Sequence, residues 1–434
     1  MRKSSTRCTV AADPPGVKRE VQRMSEVTTF SFQRRRNALE VLGQAWSGAP
    51  LTASDLIERT GLTRSTVIAV CDDLIELGWL QELENQRAAG DYVKGRPARR
   101  YSLRRDAGVV VGVDAGQHSV GVFVADLLGE TVARRTEPVA HEHVEDIPRE
   151  HRIADIERVL DRTLAEAGIS DSGVLAITFG VPAPVDARGR SPEGDNDFWG
   201  VMNPGLADRF ADRGWEAVVD NDANLAALAE GWRGAAVDAD DYLALLSGER
   251  LGGGVVLGGR LLRGARGLTG EMRYLDLVEG VGSAEGIAAL ARHWAHEALA
   301  VPGHPASLLD RRDAPGAEQV FAAAEAGDPL AQEVVDRLAE RLTNVAATLA
   351  NLLDVSLIVV GGALAASAQP LLADVARRLV GRVHAPAPRI LASTLGDQAV
   401  ALGAVRSGLD RVRADPLSLR LPGRALDEVS GAGR

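Results

Sequence analysis

Four polar side chains within five positions, in Asp220-Asn221-Asp222-Ala223-Asn224, are the ones best suited to chemistry in this chain. Together they offer the acceptors and donors that grip a polyol, and an Asp beside a bound hydroxyl can take its proton as a general base. Val218-Val219 precedes the stretch and Leu225-Ala226-Ala227-Leu228-Ala229-Glu230 follows it, which reads as a strand running into a helix. Open α/β sheets place ligands at such turns. The same residue types also cap helix N-termini, so the stretch alone is compatible with a cap, a ligand loop, or both.

The elements that must position it belong to a long chain. At 434 residues there is room for two or three domains. An apolar content of 45% and a charged content of 25% are those of a soluble globular protein. Apolar runs such as Leu357–Val360 are too short to cross a bilayer, and the polar, basic first residues do not read as a secretory signal. Cys8 and Cys71 exclude a disulfide framework and a cysteine-based zinc site, which points to a reducing cytoplasm. Charge is divided unevenly. Residues 1–105 hold 18 Lys and Arg against 12 Asp and Glu, although the whole chain is −11. A basic segment ahead of an acidic body fits a module that faces nucleic acid joined to one that avoids it.

Residues 1–27 read as a disordered basic arm in which Met24 is an alternative start, and residues 28–105 read as a winged helix-turn-helix. Arg34-Arg35-Arg36 opens a first helix. Thr52 and Asp55 form a capping-box signal, Gly61 makes a turn, and Thr63 caps a second helix from Arg64 to Leu77. In that pattern the start of the second helix enters the major groove of double-stranded DNA, so Thr63, Arg64, Ser65 and Thr66 are the candidate contacts. Trp79–Leu83 and Ala98–Leu103 read as the two strands of a wing. Between them Lys94-Gly95-Arg96-Pro97-Ala98-Arg99 supplies Arg96 and Arg99 for the minor groove or the phosphates.

From residue 106 to about 425 the pattern changes to α/β. Gly108–Gly116 is a buried strand that reaches Asp114 and a glycine turn, with Val120–Asp126 returning. The plan recurs in Tyr242–Gly248, the turn through Gly252-Gly253-Gly254, and Val255–Gly259. Such a doubling predicts two similar lobes with a cleft between them. A helix (Ile153–Ala167), a strand (Val174–Phe179) and the loop Gly180-Val181-Pro182-Ala183-Pro184-Val185-Asp186 separate the copies. A long helix near Ala331–Leu353, a strand at Leu357–Val360 and Gly361-Gly362 follow. His141, His143 and His151 read as a polar surface stretch rather than a metal site.

These segments resemble the ROK family, named for repressors, open reading frames and sugar kinases. The likeness rests on the Gly180–Asp186 loop, Asp220–Asn224 with Glu230, Gly252-Gly253-Gly254 through Arg263-Gly264, Gly270-Glu271, and the Gly95-Arg96-Pro97 wing. It implies an α/β fold: a winged helix-turn-helix followed by a two-lobed, actin-like (sugar kinase, ribonuclease H-like) body for effector binding and dimerisation. It also implies a sugar ligand on Asn221, Asp222, Glu271, Glu285 and Asn196, with Asp222 matching the catalytic base.

The departures from that pattern shape the functional expectation. Gly116-Gln117-His118-Ser119 and Gly248-Glu249-Arg250 stand where the family kinases carry phosphate turns, and Glu249 adds negative charge there. Tyr274 and Val281-Gly282-Ser283-Ala284-Glu285 stand where the family carries the histidine and cysteines of a structural zinc. No metal and no other cofactor are therefore expected. The resulting expectation is a cytoplasmic, dimeric or dimer-of-dimers transcriptional repressor of sugar-related genes, with Asp222 a vestigial general base. The alternatives are a sugar kinase with a DNA-binding extension and a ligand-free dimerisation platform.

Overall fold

The computed structural model describes residues 32–83, 99–139, 148–192, 197–309, 315–362, 365 and 367–422. The arm at 1–27, the wing tip with Arg96, and Asn196 lie outside the described residues, as do His141 and His143. The chain divides into two compact units between Arg104 and Arg105.

In the first unit, α1 (Phe32–Ala45), α2 (Ala53–Thr60) and α3 (Arg64–Glu76) pack with a three-stranded sheet of order β1 (Leu51–Thr52), β3 (Arg100–Leu103), β2 (Leu80–Leu83). Val41, Leu42, Leu56, Val67, Val70 and Leu74 point inward at helical spacing and are at most 3% exposed. Thr52 and Asp55 close a reciprocal capping box, with Thr52 N donating to Asp55 Oδ2 at 2.7 Å and Asp55 N to Thr52 Oγ1 at 3.2 Å. Gly61 ends α2 at φ 69°, where its N–H reaches Ile57 O, so the chain turns sharply into α3. The strand β1 is too short to show any alternation in sequence.

The second unit repeats one design. Its first sheet comprises β4 (Val109–Ala115), β5 (Ser119–Asp126), β6 (Thr131–Pro138), β7 (Val174–Val181) and β8 (Glu216–Asn221), in the order β6-β5-β4-β7-β8. Helices α4 (Arg149–Glu166), α5 (Asp197–Met202) and α6 (Leu206–Ala211) accompany it, and α7 (Asp222–Arg233) leads onward. The second sheet comprises β9 (Tyr242–Ser247), β10 (Leu251–Leu257), β11 (Arg260–Leu262), β12 (Leu357–Gly361) and β13 (Arg389–Ala392), ordered β11-β10-β9-β12-β13. Helices α8 (Ile287–Leu299), α9 (Ala317–Glu325), α10 (Pro329–Leu353) and α11 (Gln369–Leu379) cover it, and α12 (Ala399–Ala414) closes the unit. In both sheets the first three strands are mutually antiparallel and the last two run parallel to the centre. This is the two-lobed actin-like fold that the doubled pattern predicts.

Between the sheets lie two helices rather than one. Helix α12 rests on β4 and β7, α7 rests on β9 and β10, and the two pack on each other. Glycines set these distances. A Cβ on Gly112 would meet Ala401 O at 2.3 Å, one on Gly403 would meet Leu225 O at 1.8 Å, and one on Gly254 would meet Ala223 O at 2.3 Å. The whole layer is therefore held at backbone contact. No helix among the described residues is long and apolar enough to cross a membrane.

Candidate functional site

At the start of α3 the expected DNA contacts are brought together. Thr63 is the N-cap, and its Oγ1 accepts from Thr66 N at 3.3 Å. The same oxygen shares hydrogen bonds with Ser65 Oγ at 3.1 Å and Thr66 Oγ1 at 2.9 Å. Thr63, Arg64 and Ser65 are exposed, while Thr66 is half-buried. Arg99, the other wing arginine expected to face DNA, is engaged within the unit. Its Nη2 donates to Asp72 Oδ1 at 2.7 Å and its Nε to Glu82 Oε2 at 2.9 Å, and the guanidinium lies 5.3 Å over the Tyr101 ring. It ties the wing strand to α3.

In the second unit the four polar residues of the opening motif separate into different roles. Asp220 is buried. Its Oδ2 accepts from Arg263 Nη2 at 2.7 Å and Nε at 3.1 Å, while its Oδ1 takes Asn221 N and Asn224 Nδ2. Asn224 is buried beside it, and both residues shape the loop rather than face a ligand. Asn221 caps α7, with Oδ1 accepting from Asn224 N at 3.1 Å and Nδ2 donating to Ala183 O at 3.2 Å. That last bond ties the cap to the Gly180–Asp186 loop. Asp222, the first residue of α7, lines the cleft. Its Oδ1 accepts from Ala223 N at 2.7 Å and Asn221 Nδ2 at 3.0 Å.

The cleft is a cavity of about 380 Å³ where the ends of β4 and β9 meet the start of α12. Asp114, Ser119, Asp222, Ser247, Glu249 and Asp397 are among its walls. Gly270 bends the neighbouring loop at φ 83°, and the bridge between Gly252 and Glu271 seats Glu271 beside β10. Glu271 is close enough to raise the pKa of Asp222, and burial raises that of Glu271 itself above the usual carboxylate range. The backbone of Glu285 forms a β-bridge with that of Arg250, and its side chain accepts from Ser283 Oγ at 2.9 Å.

Glu249, which also lines the cleft, pairs through Oε2 with Arg292 Nη2 at 2.5 Å. This partner stands far along the chain, where spacing gives no hint of the contact. Two further charged residues stand at or beside the cleft. Asp114 lines the cleft, and the fully buried Arg152 lies near it, donating through Nη2 to Ala115 O.

Burial pushes Asp222 up to about 7, with Glu271 adding to the effect. Burial likewise pushes Asp114 up to about 7, with Asp222 the next cause. The two titrate as a pair. Above the ordinary value of 3.8 the unfolded chain has lost these protons while the folded chain keeps them. Stability therefore falls as pH rises through the window from about 4 to about 7. Thermal unfolding measured across that window should show a falling midpoint in the wild type and a flatter curve in Asp114→Asn. Parallel curves would refute the assignment.

Comparison with known proteins bears on this arrangement. The profile of the ROK family matches residues 110–407. The chain belongs to the ROK family. The profile of the IclR helix-turn-helix domain matches residues 37–84, ahead of the ROK domain. A glucokinase of Halalkalibacterium halodurans is 31% identical over 288 residues, 60% of this chain and 82% of that enzyme. A putative xylose repressor of Caldicellulosiruptor sp. is 24% identical over 244 residues, and the match spans 56% of this chain and 58% of that protein. Among solved structures, a ROK family transcriptional regulator described as a homologue of E. coli MLC superposes with a TM-score of 0.69 at 21% identity. It covers 89% of this chain and 99% of its own. Joining a helix-turn-helix domain to a ROK domain is the organisation of a ROK-family transcriptional regulator.

Proposed function

We propose that this chain is a sugar-responsive repressor acting on double-stranded DNA in the cytoplasm, as a homodimer or a pair of dimers. The observation that carries the proposal is the exposed first turn of α3, with Arg64 and Ser65 flanked by the Thr63 cap, in the same chain as a ROK domain. Arg64 reads a base edge, and Thr63, Ser65 and Thr66 reach base edges or phosphates. Arg96 reaches the minor groove. Arg99 acts indirectly, by holding the wing strand. In the body, Asp222 and Glu271 accept hydroxyl donors of a sugar, with Asn221 shaping the loop, while Glu285 and Asn196 complete the site. Ligand closure of the lobes then changes the spacing of half-sites that a dimer can span.

Footprinting with the full chain on DNA upstream of its own gene, with and without D-xylose and D-glucose, tests this reading. Arg64→Ala should weaken specific binding by about tenfold to a hundredfold, the cost of one lost base contact. No specific protection at moderate salt would sink the repressor assignment.

The kinship to a glucokinase, together with the raised pKa of Asp222, favours a second reading as a sugar kinase. The cleft lining supports it poorly. Asp114, Asp222, Glu249 and Asp397 line a cleft where Arg250 is the one lining Arg or Lys among the described residues, and a polyphosphate needs compensating charge. A coupled assay with ATP, magnesium, hexoses and amino sugars separates the two. Robust turnover lost in Asp222→Asn would make it an enzyme.

A further inference from the structure

The run Val281-Gly282-Ser283-Ala284-Glu285 forms no helix, and three of its carbonyls converge on one side chain. Arg341, from the middle of α10, is 4% exposed. Its Nε donates to Val281 O at 2.8 Å, and its Nη2 donates to Ser283 O at 2.6 Å and Glu285 O at 2.9 Å. Carbonyl dipoles aimed at one buried centre make a cation site, and the cation here is covalently part of the chain. Burial pulls the guanidinium down to about 10, which still leaves it protonated at neutral pH.

The zinc implied by the ROK resemblance does not fit these residues. The run offers a hydroxyl, a carboxylate and carbonyls, with neither thiolate nor imidazole, and Tyr274 is 69% exposed. A positive charge already fills the centre, so a second cation would meet repulsion there. The far side of the same run is pinned to the cleft. Leu251 N donates to Ala284 O at 2.9 Å, Gly286 N donates to Glu249 O at 2.9 Å, and Ile287 N donates to Ser247 Oγ at 2.9 Å. The run is thus clamped between Arg341 and the β9–β10 turn that lines the cavity.

We propose that Arg341 is a positioning residue whose guanidinium takes the place of a bound metal, organising residues 281–286 and through them the β9–β10 turn. Without it three carbonyls lose a charged donor and the run opens toward water. The geometric claim stands on its own; only its effect on sugar affinity rests on the effector reading.

Hydrogen exchange on the full chain tests the claim. In Arg341→Ala the amides of Leu251, Gly286 and Ile287 should exchange about tenfold or more faster, while those of β4 and β7 stay protected. Millimolar methylguanidinium should restore them and methylammonium should not, and EDTA should leave the wild type unchanged. Arg341→Lys, which keeps charge but loses the planar fork, should lose part of the protection at the same three amides. That variant decides the matter should Arg341→Ala fail to fold. Unchanged exchange in either variant, failure of methylguanidinium to rescue, or stoichiometric zinc whose removal opens the run would overturn the proposal. D-glucose titrations on the same samples keep the two claims apart. A wild type blind to every sugar tried refutes the effector reading and leaves the exchange result standing.

Discussion

Gly403→Ala is expected to lower the unfolding temperature of the ROK domain by roughly 2–6 °C. The new Cβ would lie 1.8 Å from Leu225 O and 2.4 Å from its carbonyl carbon, both of them backbone atoms of α7. No rotamer change can relieve that contact, so the helices must separate. Overpacking of this kind costs about 1–3 kcal/mol and more when backbone is forced to move. Gly43→Ala on α1 is the control. Nothing lies within 4 Å of its Cβ position, and a helical alanine is favoured by about 0.5–1 kcal/mol. Calorimetry should show the ROK-domain transition lowered in Gly403→Ala and left in place in Gly43→Ala, which lies in the other unit; an unchanged ROK-domain transition in Gly403→Ala would show that the layer between the sheets is looser than described.

Gly270→Ala is expected to abolish the response of the ROK domain to any sugar that stabilises the wild type. Its Cβ would meet Gly253 O at 1.6 Å, and φ is 83°, where a side chain costs about 1–2 kcal/mol even in open space. The strained loop must move, and it carries Glu271 with it, away from Asp222. Gly282→Ala shares the positive φ of 85° but has nothing within 4 Å, so it separates backbone strain from collision. Thermal-shift titration with the sugar panel should show binding kept in Gly282→Ala and lost in Gly270→Ala. Retention in both would remove the 264–271 loop from the site.

Legibility followed the range of the interactions. The capping box, the Gly61 turn and the Thr63 cap are contacts between residues two to four apart, and each could be read directly. The doubled strand–turn–strand plan was visible because hydrophobic runs and glycine turns recur, and the matching strand orders of the two sheets confirm it. The ligand loop was found, but its division of labour was not. Asp220 and Asp222 look alike in sequence, and only Arg263, 43 residues on, makes one structural and leaves the other to the cleft. Arg341 is hard to read from sequence for a similar reason. Arginines on a helix are usually solvated, yet this one stands three residues after Leu338 and four before Val345, in line with the buried stripe of α10. Arg152 holds the same kind of place four residues before Ile156. A charge on an apolar stripe was the signal available in both cases.

The glycine-set layer between the sheets also limits how the lobes can move. Ala226, Ala399 and Ala404 share the α7–α12 seam with Leu225 and Val400, so little of it can repack by changing rotamers. Motion across such a seam takes the form of shear, one helix gliding along the other like a slide in its rail. The first residue of one slide is Asp222, and Asp397 stands just ahead of the other. Asp114 feels both of these carboxylates, so closing the cleft and holding the proton on Asp114 become two readings of the same displacement.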